Sequence, residues 1–436
     1  MATLGAIRHN SIRGNAKVVD AALSPRNVRA ADVARVFACL AFAFIVSMFF
    51  RGANGVIAPE LMAELGMSPS TMGFVTGIFF LTFAMGMVPV GMALDRFGPR
   101  RTIATLSLLA VAGALIFATA PDWRGLALGR ALLGLGSAAS LMGSIVTLSR
   151  WVPNRRLSQM VGLLSASGAV GGLMSTAPLA FIVEQIGWRN TFFGLAAITA
   201  LMAAMVMAYV RDLPGNAALP SAHETMAEVL AGVREVLAYG SVPGFIAVQL
   251  VAYPSVLTIT GLWGGPFLND VYGLGPVERG EILLLMMLAG VAGSLTIGFL
   301  DRIFHTRKGV VMGCGLFSLC TLLPLALWGA MPLWLAALSL TLVGSMTGYV
   351  SVIQTHVRST FPERLAGRGL STLNTAVMLG GFLMQSATGF IVGIFRGSDG
   401  AAPPIAYQLV FGFIAICLAL GLLAYRSVPD VPPPRD

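Results

Sequence analysis

The chain has 436 residues, of which 56% are hydrophobic and only 11% charged, with a formal net charge of +9. A soluble domain carries about a quarter charged residues and must keep its surface wet, so this composition excludes an ordinary water-soluble fold and points to a bilayer. The positive balance would suggest nucleic acid in a soluble protein. Here the basic residues fall between apolar runs, which assigns them to membrane orientation instead.

In chain order, residues 1–35 form a polar stretch carrying Arg8, Arg13, Lys17, Arg26 and Arg29. A signal peptide would have a shorter apolar core and a small-residue cleavage site, so this stretch is expected as a cytoplasmic N-terminal tail. A spanning helix needs roughly 20 mostly apolar residues. Such runs lie near 36–58, 70–93, 102–120, 125–149, 158–183 and 190–210. A more polar linker, 211–242, follows; within it His223 to Tyr239 reads either as an amphipathic helix on the membrane surface or as a solvated connector. Six further runs lie near 243–268, 281–300, 310–329, 333–357, 369–394 and 405–425, ahead of a C-terminal tail, 426–436. The expected fold is therefore an all-α membrane protein of twelve helices, with bundles at 36–210 and 243–425.

Basic residues test this count. With the N-terminus in the cytoplasm, the tails and the loops after helices 2, 4, 6, 8 and 10 hold 22 of the 28 Lys and Arg residues. The opposite loops hold Arg124, Arg189, Arg279 and Arg396, and Arg51 and Arg130 fall inside helices. This bias predicts that both termini face the cytoplasm. Lysine occurs only at Lys17 and Lys308, a preference for arginine that suggests a GC-rich bacterial genome and hence the inner membrane. Cys39, Cys314, Cys320 and Cys417 all lie in apolar runs without ligand spacing, so neither a disulfide nor a metal site is expected.

The two halves echo each other. Asp95-Arg96 recurs as Asp301-Arg302 and Pro153-x-Arg155 as Pro362-x-Arg364. Gly171-Gly172 recurs as Gly380-Gly381, Phe181-Ile182-Val183 as Phe390-Ile391-Val392, and Pro59-x-Leu61 as Pro266-x-Leu268. The nearly constant offset indicates a duplicated six-helix unit, a common plan for secondary transporters with a site near the midplane.

The segment from Gly91 through Asp95-Arg96 and Gly98 to Arg100-Arg101 closely resembles the signature loop of the major facilitator superfamily, G-x3-D-R-x-G-R-R, with Pro99 as the departure. The bland alternative is a set of orientation arginines, but topology does not require the Gly and Asp spacing. Arg130-x3-Gly134-x-Gly136 is similar to the family's helix 4 arginine, and Gly187-Trp188-Arg189 with Phe192 to its loop before helix 6. The resemblance covers about residues 36–425. It implies that Gly91, Asp95, Arg96, Gly98, Arg100, Arg101 and Arg130, with Asp301 and Arg302 in the second half, gate the cytoplasmic side.

Arg51 lies inside helix 1, where an arginine costs several kcal/mol unless water or an anion meets it. Gly52, Gly55 and Pro59 loosen this segment, and Gly261 to Pro266 loosen the matching part of helix 7. The Arg-x8-Pro spacing resembles the organophosphate:phosphate antiporter branch, whose second arginine, in helix 7, is replaced here by Leu257; the repeat places Thr258 opposite Arg51. A lone guanidinium suits a carboxylate or other monoanion. The competing reading is a structural Arg51 that snorkels to the interface. Asn54, Tyr253, Trp263 and Asn374 complete the expected substrate site; Gln249 and Gln385 are further polar residues on the same helices, and His356 is expected outside it.

Three functions compete. The first is transport of a small solute, an organic anion held by Arg51, with no cofactor, acting as a monomer in the bilayer and coupled to a proton or an exchanged anion. The second is export of drugs or other amphiphiles, against which stands the missing G-x3-G-P-x2-G-G pattern of helix 5. The third is a solute sensor that does not transport, for which the tails are short. No nucleophile–base pair, phosphate loop or metal spacing suggests an enzyme.

Overall fold

The computed structural model describes residues 29–214, 226–329, 331–395 and 401–433. Most of the expected N-terminal tail, the first part of the linker, Arg396 and Arg435 lie outside the described residues. Twelve helical spans are long and apolar enough to cross a bilayer. Spans 1–6 are Ala30–Gly52, Pro69–Phe97, Pro99–Thr119, Trp123–Trp151, Asn154–Met174 and Ala177–Tyr209. Spans 7–12 are Val242–Tyr272, Pro276–Phe304, Arg307–Leu327, Leu333–Thr360, Glu363–Phe395 and Pro404–Tyr425. Because the number is even, the first and last described residues share one end of the molecule, called here the terminal end.

Local chemistry sets the helix boundaries. Ser68 accepts from the Thr71 amide with Pro69 at the first helical position, Asp122 accepts from Arg124 and Gly125, and Thr306 accepts from Gly309. Gly98, with φ of 81°, joins spans 2 and 3 directly, in a conformation that other residues rarely adopt. Span 1 extends beyond the expected 36–58: it breaks at Ala53 and resumes as Asn54–Glu64. The helix Ala177–Tyr209 turns at Gly187, so its first third continues the fifth crossing and Trp188 begins the sixth. These helices outrun their apolar stretches because polar ends project beyond the hydrocarbon, which hydropathy alone does not report.

Spans 1–6 pack mainly with one another, and spans 7–12 do the same. The halves meet mainly along three pairs. Span 2 meets span 11, where Ser70 donates to the Gly389 carbonyl at 3.3 Å and Thr375 to the Met87 sulfur at 3.4 Å. Span 5 meets span 8, where Gly280 packs on Ala177 and Ala180. Span 1 meets span 7 backbone to backbone: a Cβ on Gly55 would overlap the Thr260 carbonyl, and one on Gly265 the Gly55 carbonyl. Pro59, which has no N–H, cannot donate to that Gly55 carbonyl in the helix ladder.

In the linker, the helix Met226–Leu237 docks against the start of span 11 through a Glu235–Arg364 ion pair at 2.5 Å. The segment after span 12 also docks. Val428 is fully buried, and Asp430 accepts from the Thr306 hydroxyl and from the Arg307 and Lys308 amides at the start of span 9. His356 holds the same segment through Tyr425 and the Pro429 carbonyl, so its role is to anchor the tail.

Candidate functional site

Arg51 sits at the last turn of the first piece of span 1, just before the Ala53 break. Its guanidinium carbon lies 5.1 Å from the centroid of the Phe83 ring on span 2. Its buried Nε has no hydrogen-bond partner, and no carboxylate pairs with it among the described residues. An aromatic face contributes modestly to holding a cation, about 0.5–2 kcal/mol, and leaves the charge itself unneutralised.

Arg130 explains why Arg51 is held there. This fully buried side chain on span 4 donates to the Phe50 carbonyl at 2.7 Å and to the Thr76 carbonyl at 3.3 Å, over the Phe79 ring. It thereby pins the residue before Arg51 to span 2. The resemblance grouped Arg130 with the signature loop; in the structure it lies away from that loop, bonded to spans 1 and 2 at Phe50 and Thr76. Asn54, also fully buried, donates to the Thr76 hydroxyl at 3.1 Å and leaves its carbonyl oxygen unpartnered.

Across the interface, Gln385 on span 11 is fully buried with neither amide atom hydrogen-bonded. A methyl on Gly261 would touch both the Arg51 carbonyl and the Gln385 amide nitrogen at 3.6 Å, so spans 1, 7 and 11 converge at this level. Thr258 and Ser386 add buried hydroxyls without partners. Buried polar groups are nearly always satisfied, so this many in one layer mark a place that expects a polar guest or water. Sequence reading named Gln385 only among several candidates. Its distinguishing feature, lack of any partner, exists only once the helices are packed.

The remaining expected residues do not gather at that level. Trp263 is fully buried, donates its indole N–H to Thr388 at 2.7 Å and packs edge-on to Tyr407, behind the wall. Tyr253 and Asn374 are half-buried, and no hydrogen bond engages their side chains. At 1.5 Å per residue they lie roughly 12 and 16 Å from Gly261 and Gln385 along their helices, toward the terminal end. Both stand on the terminal-end side of the Gly261–Gln385 level.

At the terminal end, the signature loop is only partly engaged. Gly91 faces open space, and a Cβ on Gly98 would strike the Asp212 carboxylate. Asp212 accepts from the Arg100 amide at 2.8 Å, and the Arg100 side chain donates to the Met207 carbonyl at 2.6 and 2.9 Å. Asp95, Arg96 and Arg101 are exposed, and Asp95 makes no ion pair among the described residues. Its counterpart Asp301 is buried against Arg307 at 3.3 Å, while Arg302 is exposed. Asp95 thus pairs with no arginine among the described residues in this conformation, whereas its counterpart Asp301 does.

Residues 40–383 match the sequence pattern of the Major Facilitator Superfamily. The chain is 24% identical to a protein of Cronobacter sakazakii named as a candidate multidrug resistance protein, MdtD, over 90% of this chain and 94% of that one. It is 25% identical to a protein of Agrobacterium vitis named as a candidate tartrate transporter, covering 91% and 90% of the two chains. It is 26% identical to the hexuronate transporter of Bacillus subtilis, covering 88% and 94%. Among solved structures, a bacterial homologue of the human lysosomal transporter Spinster, in an inward-facing and unoccupied conformation, superimposes with a TM-score of 0.76 at 18% identity, over 92% of this chain and 98% of that one.

Proposed function

Because this chain belongs to the Major Facilitator Superfamily and carries a small solute across the bacterial inner membrane, we propose that its cargo is an organic anion, specifically a hydroxylated carboxylate. The observation that carries this reading is the Arg51 guanidinium without a carboxylate partner, on the same interface as the unpartnered Asn54 carbonyl oxygen and the unpartnered Gln385 amide. A carboxylate would take the fork of Arg51, and the neutral amides and hydroxyls would read the hydroxyl groups of the substrate. The relatives named for tartrate and hexuronate transport are named for compounds of this class.

On this reading both termini lie in the cytoplasm, so the terminal end, where Asp95 is unpaired, is the cytoplasmic side. The protein works by alternating access: the two halves rock about the Arg51 layer, one side opening as the other closes. The signature loop with Asp95, Arg96, Arg100 and Arg101 closes the cytoplasmic side when the far side opens. A proton or an exchanged anion drives uphill transport, a monomer suffices, and no catalytic step is involved.

The test is a thermal-shift screen of the detergent-purified protein and of Arg51→Ala. Its panel contains tartrate, hexuronates, unsubstituted dicarboxylates, sugar phosphates and lipophilic cations. Ligand binding to the folded state raises the melting temperature, with the logarithm of ligand concentration over Kd once the ligand is in excess. Stabilisation of the wild type by hydroxy acids, lost in Arg51→Ala, supports the reading. Stabilisation of both proteins by lipophilic cations alone overturns it in favour of drug export, the reading favoured by the resemblance to MdtD.

A further inference from the structure

Among the described residues, five ion pairs occur, and only one joins the two halves: Glu60 of span 1 with Arg279 of span 8. It lies at the end of the molecule opposite the termini. We propose that Glu60 and Arg279 are the gate residues that hold this far side of the transporter shut.

The second half prepares its side of the joint. Arg279 is 1% exposed and donates to the Asn269 side-chain oxygen at 2.9 Å. Asn269 in turn donates to Asp270 at 2.9 Å, and Asp270 is fixed by the Tyr407 hydroxyl at 2.6 Å and the Ala402 amide at 3.0 Å. The first half contributes only the Glu60 carboxylate. One turn later, Glu64 points elsewhere: it accepts from Trp188 at 2.6 Å and pairs with Arg189, both within its own half. Two acidic residues on one helix thus separate into an inter-half contact and an intra-half brace.

The Glu60–Arg279 pair is also incompletely satisfied. The second Glu60 oxygen and the Arg279 Nε are buried without partners. Desolvation offsets most of the attraction in a buried pair, so such a joint closes without locking irreversibly. When the far side opens, water reaches both charges. Removing Glu60 leaves the Arg279 charge buried and uncompensated in the closed state alone, and removing Arg279 takes away the one inter-half partner of a Glu60 side chain that is 29% exposed; both changes shift the population toward the open state. The opposite end carries no equivalent pair across the halves among the described residues, consistent with Asp95 standing unpaired there.

The experiment is a pulsed spin–spin distance measurement across the far side of the full chain in nanodiscs. Spin labels go on exposed positions by Arg124→Cys and Trp334→Cys, with Cys39, Cys314, Cys320 and Cys417 replaced by Ser. Glu60→Gln and Arg279→Gln should each raise the long-distance, outward-open fraction by about tenfold or more. Glu64→Gln should leave the distribution unchanged, and the double exchange Glu60→Arg with Arg279→Glu should restore the short distance. An unchanged distribution in both single Gln variants would overturn the proposal, whatever the double exchange does. Because the readout needs no substrate, it is independent of the anion reading.

Discussion

Asp212 and Asp430 occupy the same place in the two halves. Each follows the last span of its half and turns its carboxylate onto the first backbone amides of the third span, at Arg100 in one case and at Arg307 and Lys308 in the other. A carboxylate there meets unpaired amides and the positive end of the helix dipole. Replacing either by Ala is expected to destabilise the protein by about 1 kcal/mol, the usual scale of a lost helix cap. A lower melting temperature for Asp212→Ala and Asp430→Ala, beside an unchanged one for exposed Glu184→Ala, checks this.

The Asp430 brace carries a pH signature. Burial pushes its carboxyl up, but hydrogen bonds from the Thr306 hydroxyl and the Lys308 and Arg307 amides, with the nearby His356, outweigh it and hold the pKa below the ordinary value. A carboxyl lowered in the folded state stabilises fully above its unfolded value near 4, and this contribution is lost as pH falls through the folded value. The melting difference between wild type and Asp430→Asn should therefore be present above about pH 5 and close below about pH 4. A difference that persisted unchanged well below about pH 4 would assign the effect to another group.

Gln385 sets stability against binding. With both amide atoms buried and unpartnered, it costs the empty protein free energy, so Gln385→Leu should raise the melting temperature without ligand. The same change should weaken a hydroxy acid about tenfold, or about 1.4 kcal/mol, as the substrate hydroxyls lose their partner. Calorimetric titration of tartrate or a hexuronate into both proteins measures this. Equal affinity would remove Gln385 from the site.

Arg130 should behave in the opposite way. Arg130→Met removes the buried guanidinium that bridges the Phe50 and Thr76 carbonyls, at about 1–3 kcal/mol in all. Expression and melting temperature are both expected to fall sharply, before any effect on the substrate is considered. A stable Arg130→Met protein would show that span 1 is positioned by other contacts.

Gly55 offers a purely steric test. A Cβ there meets the Thr260 carbonyl, a backbone atom that cannot rotate away. Gly55→Ala should force spans 1 and 7 apart and cost about 1–3 kcal/mol, the range for overpacking. The far-side distance measurement should show the lengthening even with Glu60 and Arg279 intact.

The fold was legible because its signals are local: twelve apolar runs, alternating basic loops, and a repeat visible in pairs such as Asp95-Arg96 and Asp301-Arg302. Arg51 was legible for the same reason, since a charge inside an apolar run needs an explanation. The roles of Gln385, Glu60 and Arg279 were not, because each depends on what faces it across the interface. Trp263 looked available in the sequence and is occupied by Thr388 in the structure. One missed signal was present all along. Val210-x-Asp212-Leu213-Pro214 recurs as Val428-x-Asp430-Val431-Pro432, but at an offset longer than that of the other repeats.

That recurrence bears on ancestry. Each carboxylate braces its own half, never the other, so a duplicated gene would have copied the brace together with the bundle it closes. The helix Met226–Leu237, docked on span 11, belongs physically to the second half. The covalent join between Pro214 and Met226 thus ties together two units that each already end in their own clasp. Its contribution is to keep the two halves at high mutual concentration.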